Sequence, residues 1–270
     1  MFENKLKLNE NKTDALLVSS SHPSKKLLPL SLSIGDEKIV PADFVQNLGM
    51  ILDSHLTLEL HVKKVWRSAN YQLHRISRVR KCFDDAICAI LVSSLVFPYL
   101  DYGNSLFYGL PEYLLDHLQR VQNSAVRLVV RTSRYVSATR HLKALHWLPV
   151  HYRIEFKIAA LTYRCIYGLA PSYLAELVTP YVPSRELRST DSCTLAFPKT
   201  KQDRYGRRSF SYAAPKVWNS FPLYLRTSPT FSKFCSDLKT LFSALHFLQT
   251  DSCLRCNPSA FDHVRGKSAI

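Results

Sequence analysis

A change in hydrophobic periodicity near Leu56 constrains the fold of this chain more than any other feature of the sequence. Downstream of it, apolar residues recur at the i, i+3, i+4 spacing of an amphipathic helix. They are Leu58, Val62, Val65, Trp66, Ala69, Leu73 and Ile76. On a helical wheel they fall within about 100°, the width of a stripe that faces a core. The pattern therefore predicts a packed helix that starts just after residue 55.

Short β-strands are predicted upstream of that point. Strand-like runs cover residues 13–20, 30–40 and 44–53, and a Gly35-Asp36 turn lies inside the second run. Each run is bounded or interrupted by turn-forming residues, which is typical of short antiparallel strands. Residues 1–54 are accordingly predicted to form a small hairpin region.

Helical patterns dominate the rest of the chain. Helices are predicted over residues 84–97, 111–132, 149–167, 171–178 and 231–247, with Gly168 suited to end the third of these. After Pro180 the sequence becomes rich in serine, proline and arginine, and short strands are predicted around "CTLAFP" and "SFSYAAPKVW". The predicted fold class is mainly α: a helical bundle (55–180) after the strand region (1–54), followed by a loop-rich α+β segment with a final helix (181–248). A disordered tail is expected over 249–270.

The charge of the chain points to a polyanionic partner. Lysine and arginine total 36 against 21 acidic residues, for a net charge of +15 and a pI of about 9.6. Such a balance is typical of nucleic-acid-binding proteins, although it can also serve solubility alone. Its distribution favours binding, because no acid occurs between Leu60 and Phe83 or between His117 and Ile154. Solvated helix faces usually mix both signs to form i,i+4 pairs.

Two clusters of cations are candidate phosphate ligands. The first helix carries Lys63, Lys64, Arg67, Arg75, Arg78 and Lys81 opposite its apolar stripe, and the helix over 111–132 with its end carries Arg120, Arg127, Arg131 and Arg134. A third set consists of Arg153, Lys157 and Arg164, which fall within about 40° on the wheel of a mostly apolar helix. We expect these three to share one narrow exposed edge.

A basic segment near residue 205 is the fourth candidate. It contains Arg204, Tyr205, Arg207 and Arg208. An aromatic ring among cations could stack on a base of single-stranded nucleic acid, and a flexible solvated loop is the alternative. By contrast, Trp66, Trp147 and Trp218 lie in apolar contexts and are expected to pack in the core.

No metal or cofactor is predicted. Cys253 and Cys256, with His263, could be half of a zinc site, but the usual second pair of ligands is missing. The cysteine count, seven, is odd, and Cys88 and Cys165 lie in apolar helical contexts, which favours reduced thiols in an intracellular protein, nuclear or cytoplasmic. No signal peptide is recognisable, and the most apolar segment, residues 86–97, is too short to cross a bilayer.

Several phrases of the sequence, in this order, resemble the C-terminal part of the reverse transcriptase of non-LTR (LINE) retrotransposons of the L2, CR1 and jockey-like group. They include "VQNLGMILDSHLTLELHVKKV", "LVFPYLDYGNSLFYGLP", "LQRVQNSAVRLVVRT", "LKALHWLPVHYRIEFKIAALTYRCIYGLAPSYL" and "AAPKVWNSFPLYLRTSPTFSKFCSDLKTLF". The resemblance covers about residues 5–247. It implies a chain that starts just after the catalytic aspartates of the palm and carries the last palm strands, the helical thumb and the region beyond it.

The resemblance implies binding rather than catalysis. A thumb grips the template–primer duplex through its backbone, and the palm aspartates and the endonuclease would be missing from this chain. Reverse transcriptases place an aromatic-x-Asp-Asp motif on a hairpin to hold two Mg²⁺ ions. In "CFDDA" the two aspartates follow Phe83 directly and lead into a helical pattern, so we expect helix N-capping there. A protein-interaction module, or a degenerate retroelement product without activity, is the alternative function.

Overall fold

The computed structural model describes residues 13–18, 32–34, 37–182, 193–200 and 203–252. It is mainly helical, as predicted. The chain divides into two compact units, Met1–Arg67 and Ser68–Ile270. The division falls inside the first long helix, α1 (Glu59–Val79).

The first unit contains two antiparallel hairpins. Strands β1 (Leu32–Ile34) and β2 (Glu37–Ile39) pair with Leu32 opposite Ile39, and the predicted turn at 35–36 lies outside the described residues. Strands β3 (Phe44–Asn47) and β4 (Met50–Asp53) form the second hairpin. The prediction of one strand over 44–53 is therefore wrong. Leu48 and Gly49 both adopt positive φ angles, 46° and 84°, and a two-residue loop of that kind reverses the chain.

A carboxylate organises the turn that leads from β4 into α1. Asp53 accepts hydrogen bonds from the Thr57 and Leu58 backbone N–H groups, at 2.9 and 2.8 Å, and from the Thr57 hydroxyl at 2.9 Å. Leu56 and Leu58 have positive φ angles in this turn, a conformation that side-chained residues rarely adopt. The carboxylate thus holds a backbone path that the sequence pattern did not reveal.

The second unit consists of helices joined by short connections. They are α2 (Asp85–Leu95), α3 (Phe97–Asp101), α4 (Glu112–Val130), α5 (Ala138–Ala144), α6 (Val150–Ile166), α7 (Ser172–Ala175), α8 (Asp203–Gly206), α9 (Phe210–Asn219), α10 (Leu223–Arg226) and α11 (Phe231–Ser252). Short 3-10 turns cover Arg80–Cys82 and Asn104–Phe107. The five helices predicted downstream of α1 are present, and α11 runs further than predicted. The short helices α3, α5, α8 and α10 were not predicted.

Helix α6 lies at the centre of the second unit, as its nearly continuous apolar circumference predicts. Ile154, Ile158 and Tyr163 are buried on it. The Tyr163 ring stacks on Phe234 of α11 at 4.7 Å, and its hydroxyl donates to the Ser228 carbonyl at 2.9 Å. The segment after residue 180 therefore shares one core with the bundle.

The strand predicted over "SFSYAAPKVW" is wrong, because these residues form α9. The buried residues Ala213, Ala214, Val217 and Trp218 follow helical spacing and face α6. "CTLAFP" contributes only an isolated bridge between Leu195 and Pro180. Asn219 holds this segment, since its side-chain amide pairs with both backbone groups of Leu195 at 2.9 Å.

Candidate nucleic-acid interface

Arg80 joins the end of α1 to the end of α4. It is only 6% exposed, and its guanidinium donates to the carbonyls of Leu128 and Val129 at 2.8 and 2.6 Å. These carbonyls lie in the last turn of α4, where backbone carbonyls have no hydrogen-bond donor within the helix. Arg80 also donates to Phe83 O at 2.6 Å and forms an ion pair with Asp85. Sequence reasoning missed this residue, because nothing local distinguishes it from its exposed neighbours.

The two aspartates of "CFDDA" stabilise the start of α2. Asp84 is the N-cap residue and accepts a hydrogen bond from Ile87 N at 2.7 Å, which confirms the predicted capping role. Asp85 pairs with Arg80 and lies 3.7 Å from Nε of Arg131. Arg131 in turn donates to Phe83 O at 2.8 Å. Asp84 is thus engaged in the N-cap of α2, and Asp85 is engaged where α2 meets the end of α4.

The segment between α4 and α5, residues 131–137, is held in a defined conformation. We call it the α4–α5 connection. Arg127 donates to the Val136 carbonyl from Nε and Nη2, at 3.3 and 3.2 Å, and Val136 N donates to Ser133 O at 3.1 Å. Ser137 then caps α5 by accepting from Thr139 N. These bonds hold the middle of the connection and its junction with α5.

The connection presents an arginine and a tyrosine to solvent. Tyr135 is 82% exposed. The guanidinium of Arg134 lies 5.0 Å from its ring centroid, and Nη2 of Arg134 donates to its hydroxyl at 2.8 Å. Sequence reasoning missed Tyr135, although an aromatic residue among cations was the same pattern that singled out Tyr205.

Helix α5 extends the basic surface. Its buried side packs Leu142 against Val126 of α4, with Trp147 alongside, so Arg140 and Lys143 are left exposed on the outer side. We define the basic connection surface as the exposed residues Arg131, Arg134, Tyr135, Arg140 and Lys143. Arg78 and Lys81 are exposed on either side of Arg80, whose side chain bonds to the Leu128 carbonyl at the end of α4.

The remaining predicted cations on the two long helices are exposed, except for Arg127, and differ in their contacts. Lys63, Lys64 and Arg67 belong to the first unit, where Lys63 forms an i,i+4 ion pair with Glu59 at 2.9 Å. Arg75 lies over the Tyr71 ring at 5.9 Å. Arg120 is exposed on α4, whereas Arg127 is partly covered by its bonds to the connection. Arg120 and Arg75 therefore stay available for phosphate contacts within the second unit.

The predicted shared edge of Arg153, Lys157 and Arg164 is wrong for Arg153. Its side chain is 18% exposed and donates through Nε and Nη2 to the two carboxylate oxygens of Asp101, while its guanidinium lies 4.5 Å from the Phe97 ring centroid. Asp101 is 52 residues away, so no local pattern could reveal the pair. Lys157 is exposed, and the Arg164 guanidinium covers Phe231 at 4.8 Å.

The basic segment near residue 205 is folded into α8 and the turn after it. The hydroxyl of Tyr205 and Nε of Arg208 are buried. Arg208 packs against Gly109, where an added Cβ would lie 2.8 Å from Arg208 Cγ. Arg207 is exposed, and the side chain of Arg204 lies outside the described part of the structure. The segment is thus neither a flexible loop nor a well-exposed stacking site.

The tryptophans and thiols follow the predictions with one exception. Trp218 is fully buried and donates to Cys193 O at 2.9 Å, and Trp147 contacts the edge of Phe97 at 4.5 Å. Trp66 is 42% exposed, so its predicted core position is wrong. Cys88 and Cys165 are buried free thiols, and burial raises the pKa of each.

The tail cysteines Cys253 and Cys256, with His263, lie outside the described residues. Within the described ranges, no group of three or more histidine, cysteine or acidic side chains is arranged to hold a metal ion. None of the helices described here is both long and apolar enough to cross a membrane.

No family model, no curated protein and no solved structure matches the chain. The geometry defines a helical protein with a basic surface around the end of α4.

Proposed function

We propose that this chain binds nucleic acid through the phosphate backbone, using the basic connection surface and the cations next to it. The observation that carries the proposal is the exposure of Arg131, Arg134, Arg140 and Lys143 in a segment with no acidic residue between His117 and Ile154. Cations on a rigid helical support neutralise phosphates and fix the position of the nucleic acid without reading its sequence.

The resemblance to non-LTR reverse transcriptases supports the same proposal. On that basis the chain is a thumb and post-thumb fragment of an RNA-directed DNA polymerase that contacts the template–primer duplex without its own catalytic centre. The capping role of Asp84 and the pairing of Asp85 are in keeping with this, because both carboxylates serve helix packing. RNA, DNA and their hybrid share the phosphate chemistry that such a surface recognises.

A protein-interaction module is the second candidate, and the outer face of α2 favours it. Ile87, Ile90 and Leu95 are 44%, 64% and 42% exposed on this apolar helix. An apolar face of this kind, close to a basic surface, suits an acidic protein partner. Binding of polyglutamate as tight as binding of nucleic acid would support this candidate.

The first test is charge reversal at exposed positions. Arg127 and Arg131 are poor choices, since both bond to backbone carbonyls and their loss would disturb the fold. Arg120→Glu with Arg140→Glu avoids this problem. We expect weaker binding to a blunt 20-base-pair RNA–DNA hybrid, and a plot of log affinity against log salt that is shallower by about 0.9 for each lost phosphate contact.

The matched control is Lys216→Glu with Lys239→Glu. These residues are exposed on α9 and α11, and the double change alters the net charge by the same amount. Binding should be measured by fluorescence anisotropy from 50 to 200 mM salt. Equal losses for both double variants would show a nonspecific charge effect, and salt-independent binding by the wild type would contradict the proposal.

A further inference from the structure

Tyr135 differs from an ordinary exposed aromatic residue in how firmly its surroundings are held. Single exposed aromatics are common on protein surfaces and need no special role. Here the ring is 82% exposed on a connection that Arg127 fixes through the Val136 carbonyl. Arg134 covers one side of the ring at 5.0 Å and bonds its hydroxyl. The ring is thus oriented before any ligand arrives, and most of its surface remains open.

The groups around this ring suit a nucleotide better than an apolar ligand. Arg131, Arg134, Arg140 and Lys143 are exposed on the same connection and on α5. No carboxylate occurs on these elements, and Asp85 of α2 lies 3.7 Å from Nε of Arg131. An aromatic platform flanked by cations is the arrangement by which proteins stack bases and hold the phosphates between them.

We propose that the α4–α5 connection binds an unpaired stretch of nucleic acid, with a base stacked on the open face of Tyr135 and the flanking phosphates on Arg134, Arg140 and Lys143. This inference rests on the proposed function and makes it more specific. Inside a duplex each base face is covered by its neighbours, so we expect the ring to stack on an unpaired base. The surface therefore distinguishes a single-stranded segment from a duplex.

Tyr135→Ala and Tyr135→Phe in the full chain test the inference. The probes are fluorescein-labelled 12-mers of oligo-dT and oligo-U, which separate DNA from RNA, and a blunt 20-base-pair hybrid. We expect Tyr135→Ala to weaken single-strand binding about tenfold, within the range that stacking on aromatic side chains contributes. Binding of the blunt duplex should change less than about twofold, because phosphate contacts dominate there. Tyr135→Phe should keep single-strand binding within about threefold of wild type, since the ring remains.

Tyr173→Ala is the matched control. Tyr173 is 72% exposed on α7, within a stretch, residues 165–184, that contains no lysine or arginine, and its loss should leave both affinities unchanged. A second readout is the fluorescence of 2-aminopurine placed within the 12-mer. Stacking on tyrosine should quench it with wild type and Tyr135→Phe but not with Tyr135→Ala, an effect that a merely structural role would not produce.

The outcomes separate the two proposals. If Tyr135→Ala binds the 12-mers as wild type does, or weakens 12-mers and duplex equally, the stacking inference fails while the proposed function stands. If wild type binds neither the 12-mers nor the duplex, both fail. Loss confined to the 12-mers, with quenching abolished, supports the inference.

Discussion

The arginines of this protein separate into those that hold the fold and those that face solvent. Arg80 and Arg153 are largely buried. Arg80 donates hydrogen bonds to backbone carbonyls, and Arg153 forms an ion pair with the carboxylate of Asp101. Arg134 and Arg140 are exposed on the surface proposed to bind phosphates. A guanidinium suits both roles, because its planar donors fit fixed acceptors inside the protein and phosphates outside it.

Arg80 provides the sharpest prediction at the residue scale. Arg80→Ala should lower the free energy of unfolding by about 2–4 kcal/mol, because the carbonyls of Leu128 and Val129 lose their buried donor. The exposed neighbour Arg78→Ala should change it by less than about 0.5 kcal/mol. Urea denaturation followed by circular dichroism measures both. Equal, small effects would show that the buried contacts of Arg80 contribute little to stability.

Helix ends and turns decide how the elements connect. Gly168, with a φ of 68°, ends α6 as predicted, and Leu169 N returns to Arg164 O at 2.8 Å. Asp84 caps α2, and Ser137 caps α5. The turn before α1 depends instead on Asp53. Burial raises the pKa of Asp53, but hydrogen bonds from Thr57 and Leu58 outweigh burial and lower the pKa overall.

The lowered pKa of Asp53 predicts a pH-dependent contribution to stability. The folded state binds the proton less readily than the unfolded state, so the contribution is complete above the unfolded pKa of about 4 and is lost as pH falls through the folded value. At pH 7, Asp53→Asn should lower stability by about 1 kcal/mol, since the amide cannot accept both sets of hydrogen bonds. Urea unfolding from pH 7 to pH 3 should show this difference shrinking. A difference that grows on acidification would contradict the assignment.

One aromatic core unites the second unit. Tyr163 of α6 stacks on Phe234, and Trp218 lies 5.7 Å from the same ring. Residue spacing predicted the helices α6 and α11 of this core, whereas α9 was predicted as a strand. Which helices pack together was not predictable, because α6, α9 and α11 are far apart in the sequence and residue spacing is a local property.

At the scale of the molecule, we expect the second unit to unfold cooperatively. Phe234→Ala should lower stability by about 3–5 kcal/mol, because Phe234 is fully buried and its removal leaves a cavity. Near- and far-ultraviolet circular dichroism should report one coincident transition in wild type and variant alike. A helical signal that survives the loss of the aromatic signal would show that α9 and α11 are dispensable to the bundle.

The sequence by itself determined the helical class, the positions of α1, α2, α4, α6, α7 and α11, and the clustering of cations, because periodicity and composition are local properties. Tertiary structure alone decided which cations are exposed. Arg80 and Arg153 are covered by partners about 50 residues away, whereas the side chains of Arg134 and Arg140 remain exposed. It also decided that residues predicted to form a strand form α9, and that Tyr135 rather than Tyr205 lies among exposed cations. The reason is physical: spacing shows that a residue can face a core, but burial depends on which distant surface packs against it.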